Sequence, residues 1–226
     1  MADDAPSIES QGLFVGDLRQ LPGVGSLTGM FKQRADAPVA LAAEGLAGDR
    51  QADRTHHGGP ERALNHYPAE HYDHWRRGYP DLAEQFEPGL LGENLSTRGL
   101  TEADVHPGDI FRLGSARITI TQPRYPCFKI ARRTGIRNFA QLVAQTGRSG
   151  WLYRVVEPGE VSPDDVPTRI EAVDHGFTLA RLWSVRNDPA PDLDEMAALA
   201  ELPPLAESWR QAYRSRREYL LQRAAD

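Results

Sequence analysis

The run Ala116-Arg117-Ile118-Thr119-Ile120-Thr121-Gln122-Pro123-Arg124-Tyr125-Pro126-Cys127 decides how the chain folds. Ile118 and Ile120 alternate with Arg117, Thr119 and Thr121, the period of two expected of a strand with one face in a core. Immediately upstream, Ile110-Phe111-Arg112-Leu113 and the turn pair Gly114-Ser115 supply a partner strand, so the segment reads as a β-hairpin. Pro123 has no N–H to give to a ladder, so the sheet ends there and the chain turns outward before Cys127. The sole cysteine of the protein therefore sits at a strand mouth, just after Pro123 and Pro126 and close to Arg124 and Lys129.

Working outward, residues 12–32 show short apolar bursts broken by glycine, a pattern of short strands and turns, and Val39-Ala40-Leu41 reads as another strand. Residues 45–59 are polar and glycine-punctuated, with no apolar period, and read as a loop. A helix is expected after Tyr67, with Pro68 as its first residue and Gly78 and Pro80 as its stop; Tyr72 and Trp75 share its inner face. A second helix is expected over residues 138–146 and a strand over 151–156, while residues 1–10 read as a frayed terminus. After Asp174 the pattern becomes helical, over residues 178–186, 193–202 and 205–223 with proline breaks between. The fold class is mixed α+β: a β-rich domain over residues 11–173, then a small three-helix domain over residues 174–226. About fifty residues bury too little surface to stand alone, so the tail is expected to pack on the first domain or to dock a partner.

Lys and Arg number 26 against 32 Asp and Glu, a net of −6 over 226 residues, which supplies no global cationic field for a nucleic acid polymer or an anionic membrane. No apolar run is long enough to cross a bilayer and the first residues are acidic, so a cytoplasmic location is expected. One cysteine rules out a disulfide within the chain and a multi-cysteine zinc site. Cys127 is then either a small buried hydrophobe or a thiol activated by Arg124 and Lys129, and local sequence leaves both readings open.

Other segments carry polar groups suited to a ligand. His56-His57-Gly58-Gly59 puts imidazoles before a diglycine whose N–H groups could converge on an anion, and Arg62 follows three residues later. A plain surface turn accounts for the same residues. His66, His71 and His74 crowd one region but lack the carboxylate or cysteine spacing of a zinc site; His66, just after the glycine turn, is the one expected to touch a cofactor. Glu93 and Asn94 in Gly92-Glu93-Asn94-Leu95 could hydrogen-bond a heterocycle, or simply form a turn.

Taken in order, Gly45-Leu46-Ala47-Gly48-Asp49, His57-Gly58-Gly59-Pro60-Glu61-Arg62-Ala63-Leu64, His66-Tyr67-Pro68, Gly92-Glu93-Asn94-Leu95, Gly108-Asp109-Ile110-Phe111, Gln122 to Cys127 and Gly150-Trp151-Leu152-Tyr153 resemble the MOSC family, the molybdenum cofactor sulfurase C-terminal domains. The tail resembles the three-helix extension of its bacterial YiiM-type members. The resemblance covers roughly residues 12–172, and its specificity lies in seven pieces in one order. It implies a β-barrel-like fold holding a pterin-based molybdenum cofactor (molybdopterin). Cys127 would be the metal ligand, and the basic and glycine residues, with Gln122, Arg124 and Lys129, would form the cofactor cradle. The implied activity is a detoxifying reduction of small N-hydroxylated compounds such as 6-hydroxylaminopurine, with electrons from a flavoprotein reductase. His57 and Asp49 are the two guesses for its proton donor. The residues also admit a sulfur carrier using a Cys127 persulfide, and a non-catalytic cofactor-binding protein. In the tail, Arg210, Arg214, Arg216 and Arg217 cluster on an acidic protein, which suggests a docking surface for a partner or for a second copy in a homodimer; a solvated helix face is the plainer alternative.

Overall fold

The computed structural model describes residues 7–23 and 25–225. In chain order the elements are β1 (Glu9–Val15), β2 (Arg19–Gln20), β3 (Leu27–Thr28), β4 (Gln33–Arg34), β5 (Val39–Ala42), β6 (Gly45–Leu46), α1 (Arg54–His57), β7 (Leu64–Pro68), α2 (Glu70–Gly78), β8 (Leu95–Arg98), β9 (Ile110–Leu113), β10 (Ala116–Pro123), α3 (Phe128–Thr134), α4 (Phe139–Thr146), β11 (Trp151–Glu157), β12 (Gly159–Val161), β13 (Thr168–Glu171), α5 (Leu179–Asn187), α6 (Leu193–Ala200) and α7 (Glu207–Ala225). Eight strands form a curled half-barrel sheet in the order β13-β9-β10-β11-β7-β8-β1-β4, antiparallel except where β7 meets β8. That parallel step needs a crossover, and α2 lies in it.

The expected hairpin is present: Leu113 pairs with Ala116 across Gly114-Ser115, and Gly114 has a positive φ of 58°. A side chain at Gly114 would put its Cβ 2.2 Å from the Glu160 carbonyl oxygen, so the turn requires glycine for space as well as for dihedral. One expectation changes. The alternation along β10 implies a wet outer face, yet every residue from Ile118 to Pro123 is buried. Both faces are covered within the chain: the Thr121 hydroxyl is satisfied by the carbonyls of Glu61 and Leu152, and the tail is tied to the strand's backbone, the Ala206 N–H donating to the Thr121 carbonyl at 2.9 Å.

The tail helices begin and end within a few residues of expectation, capped by Thr178 and Asp192, whose side chains accept from backbone N–H groups of the first turn. Leu182, Trp183, Met196, Trp209 and Tyr213 are all buried in one hydrophobic cluster with Leu13, Ile118, Ile120 and Tyr153 of the sheet, so barrel and tail share a core. A second cluster, with Tyr72, Trp75, Phe86, Ile130 and Phe139, packs α2, α3 and α4 together.

Three local expectations are corrected. Pro68 ends β7 and α2 starts at Glu70, because Tyr67 and Pro68 pair with Ser96 and Thr97. Residues 45–59 contain β6 and the single turn α1, which is capped by Asp53. Residues 9–10 are part of β1, with Glu9 opposite Arg98; residues 1–6 lie outside the described residues, as does Val24 of the expected Pro22–Gly25 turn. No helix among the described residues is long and apolar enough to cross a membrane.

Candidate functional site

Where β10 ends, the chain leaves the sheet as the sequence suggests: Pro123 still faces Trp151, the Arg124 N–H donates to the Gly150 carbonyl at 2.9 Å, and Cys127 stands half-buried as the N-cap of α3. Cys127 opens onto a cleft of about 320 Å³ whose walls come from the β3–β4 region, the 49–57 segment, the mouth of β10 and the tail. Six Lys and Arg side chains line it (Lys32, Arg50, Arg62, Arg124, Lys129, Arg186) against two carboxylates, Asp49 and Asp53. On a chain of net charge −6, this makes the cleft a local anion site.

The floor is organised by Asp49. Its carboxylate accepts from the Gly16 N–H at 2.9 Å, from Asn94 Nδ2 at 2.9 Å, from Gln51 Nε2 at 3.3 Å and from the Lys32 ammonium in a buried ion pair. With four donors on two oxygens, Asp49 orients its neighbours. Burial, the largest influence, pulls the Lys32 ammonium below its ordinary value; Asp49 and Glu93 oppose this and Arg124 adds to it. His57, at the rim, is also lowered, first by desolvation and then by Lys129, with Asp53 opposing.

Of the residues singled out from sequence, Cys127, His57, Asp49, Arg62, Asn94, Gln122, Arg124 and Lys129 line the cleft. Four others do not. His66 is fully buried in the sheet between Tyr153 Oη (3.1 Å) and Thr97 Oγ1 (2.8 Å), against Trp151, and burial lowers it to about 3, so it is a neutral core histidine. Glu93 is fully buried, bound by Tyr72 Oη at 2.6 Å and the Gly89 N–H at 2.5 Å, and burial pushes its carboxyl up. The Gly58 N–H is used on the Arg54 carbonyl, and neither Gly58 nor Gly59 forms part of the wall, so side chains supply the positive field that backbone donors were expected to supply. Asn94 reaches the cleft but directs its amide at Phe14, Asp49 and Asn65, not at a ligand.

Sequence reasoning missed Lys32, Arg50, Asn65, Arg186 and Trp209. The 16–29 segment brings Thr28 and Gly29 into the wall; a Cβ on Gly29 would lie 1.9 Å from the Arg50 carbonyl oxygen, so that contact demands glycine. Among the described residues no three His, Cys, Asp or Glu side chains are grouped to hold a metal.

The MOSC domain family pattern matches residues 53–167, and the pattern of a YiiM-like, 3-alpha helix domain matches residues 178–218. The chain belongs to the MOSC family. It is 40% identical over 208 residues to Protein YiiM of Escherichia coli (strain K12), covering 91% of each chain. It is 32% identical over 175 residues to a protein of Gibberella moniliformis (strain M3125 / FGSC 7600) named Reductase, a match covering 77% of this chain and 31% of that one. The crystal structure of YiiM from Geobacillus stearothermophilus superposes with a TM-score of 0.78 at 27% identity, over 93% of this chain and 99% of that one. MOSC domains are associated with molybdenum cofactor binding.

The lowered His57 sets a pH dependence. Its imidazole is neutral at neutral pH and charges only as the pH falls below the ordinary 6.5, and an anion in the cleft favours the charged form, so binding takes up a proton. NMR titration of the free protein is therefore expected to place His57 below 6.5, and sulfate affinity should rise as pH falls from about 8 to about 6. A His57 midpoint above 6.5 in the free protein would contradict this assignment.

Proposed function

We propose that the protein is a molybdenum-cofactor-dependent reductase of N-hydroxylated compounds, 6-hydroxylaminopurine among them, supplied with electrons by a flavoprotein reductase. The observation that carries this is the meeting of one half-buried thiol with six cationic side chains in a single cleft of a MOSC domain. The donor set fits the cofactor. A soft thiolate suits molybdenum, the cations suit a pterin with a terminal phosphate, and Asn65 Oδ1, buried in the wall without a partner, offers an acceptor to a ring N–H. Cys127 would hold the metal, while Arg62, Arg124, Lys129 and His57 would hold the anionic end. The relative from Gibberella moniliformis named Reductase lends support to redox chemistry.

When bound, the cofactor supplies the two-electron redox chemistry. The overall reaction breaks an N–O bond and consumes two electrons and two protons, giving the amine and water. The chain must deliver protons inside a cleft of restricted solvent access. Lys32 Nζ suits that task, because burial makes its ammonium a stronger acid than an ordinary lysine while Asp49 keeps it in place. His57, with its pKa lowered, is largely unprotonated in the free protein and is a poor donor.

Two measurements test this reading. Protein made in a host competent for cofactor synthesis is expected to carry about one molybdenum per chain, lost in Cys127→Ala, with no cyanide-labile sulfur. Metal-free wild-type protein contradicts it, and labile sulfur on Cys127 in that protein would point to a persulfide carrier. Lys32→Arg keeps the charge opposite Asp49 but cannot release a proton at working pH; kcat should fall by about 10² or more with metal content unchanged, and a kcat within a few-fold of wild type would remove Lys32 as the donor.

A further inference from the structure

The two walls of the cleft differ in chemistry. The barrel wall carries Cys127 and its cations, whereas the tail contributes Arg186 from α5 with Ser208, Trp209 and Ala212 from α7. The Arg186 guanidinium lies 5.0 Å from the ring centre of Tyr125 and 5.0 Å from that of Trp209. Tyr125 is stacked on Trp183 at 5.9 Å, and Trp183 meets Trp209 edge-on at 5.1 Å, so the rings form a continuous bracket around the cation. The backbone that carries Arg186 is fixed, because Arg216 donates to the carbonyls of Val185, Arg186 and Asp188. The wall as a whole is tied to the end of β10 by Ser208 Oγ, which donates to Gln122 Oε1 at 3.0 Å.

Apart from Arg223, which lies over the Tyr219 ring, the other tail arginines are spent. Arg181 pairs with Glu195, Arg210 with Glu207, Arg214 with Glu201 and Glu207, and Arg217 donates to the Leu193 carbonyl. Among the described residues the Arg186 guanidinium lies against two aromatic rings and has no acceptor for its N–H groups. Its N–H donors are therefore untaken and open to a ligand's acceptor, and Tyr125, 58% exposed, leaves ring surface free for stacking.

We propose that this tail wall is a second ligand subsite, which takes a planar heteroaromatic ring carrying a carbonyl or similar acceptor on its edge, with Arg186 as the residue that selects it. The subsite rests on geometry alone, while its role as a substrate site rests on the reductase reading. The family's tail extension then does more than complete the core: it decides which N-hydroxylated compounds enter beside Cys127.

The test measures binding of two probes, hypoxanthine and purine, to the full-length protein by calorimetry, with molybdenum content assayed on the same samples. The rings are alike, but only hypoxanthine carries a carbonyl. Wild type is expected to prefer hypoxanthine by about tenfold or more, Arg186→Met to lose the preference, and Arg186→Lys to recover part of it. Tyr125→Leu should weaken both probes by a similar factor and keep the preference, which a merely unfolded tail could not do. Absence of binding or of preference in wild type, or a preference that survives Arg186→Met, overturns the subsite. A preference with no molybdenum in the wild-type protein refutes the cofactor reading and leaves the subsite standing; molybdenum with no preference does the reverse.

Discussion

Burial of β10 on both faces is the constraint from which the site follows. A strand of a curled sheet ordinarily offers one face to the core and one to water, but here both faces are buried and the tail bonds to the backbone at Thr121. Because the covering ends with the strand, the seam between barrel and tail opens at Gln122 and Pro123. Cys127 emerges there, half-buried, with cations from the barrel on one side and Arg186 and Trp209 of the tail on the other. The position of the cleft is thus a consequence of where one strand stops.

The buried Asp49–Lys32 pair sets the cleft floor. Taking two charges out of water is costly, and it is tolerated here because Asp49 is bound by the Gly16 N–H, Asn94 and Gln51 as well. The same contacts bring together three distant stretches of chain: the end of β1, the loop before α1 and the entry to β8. Six of the protein's 26 Lys and Arg side chains meet at this one opening.

Much of this was legible in the sequence wherever a local rule sufficed. The hairpin, the stop at Pro123 and the three tail helices follow from alternation, proline chemistry and capping residues, and the ordered motifs identified the family and about half of the cleft's barrel wall. What failed to show were long-range partnerships. His66 and Glu93 looked like ligand contacts because their neighbours in sequence are polar, yet Tyr153 and Thr97 for one, and Tyr72 for the other, consume them inside the core. Lys32 and Arg186 carry no motif; only folding brings one beneath Asp49 and the other between Tyr125 and Trp209. The tail arginines read as a docking surface because their count was visible and their partners were not: Arg210, Arg214, Arg216 and Arg217 all bond within the chain.

The central claim is that Cys127 is the one bond by which this chain holds the metal. X-ray absorption at the molybdenum edge, on loaded wild-type protein and on Cys127→Ser loaded in the same host, tests it directly. The account predicts that the wild-type metal has one sulfur neighbour more than the pterin supplies, and that the serine variant loses it or fails to retain molybdenum. Equal sulfur counts at equal occupancy in the two proteins would contradict it.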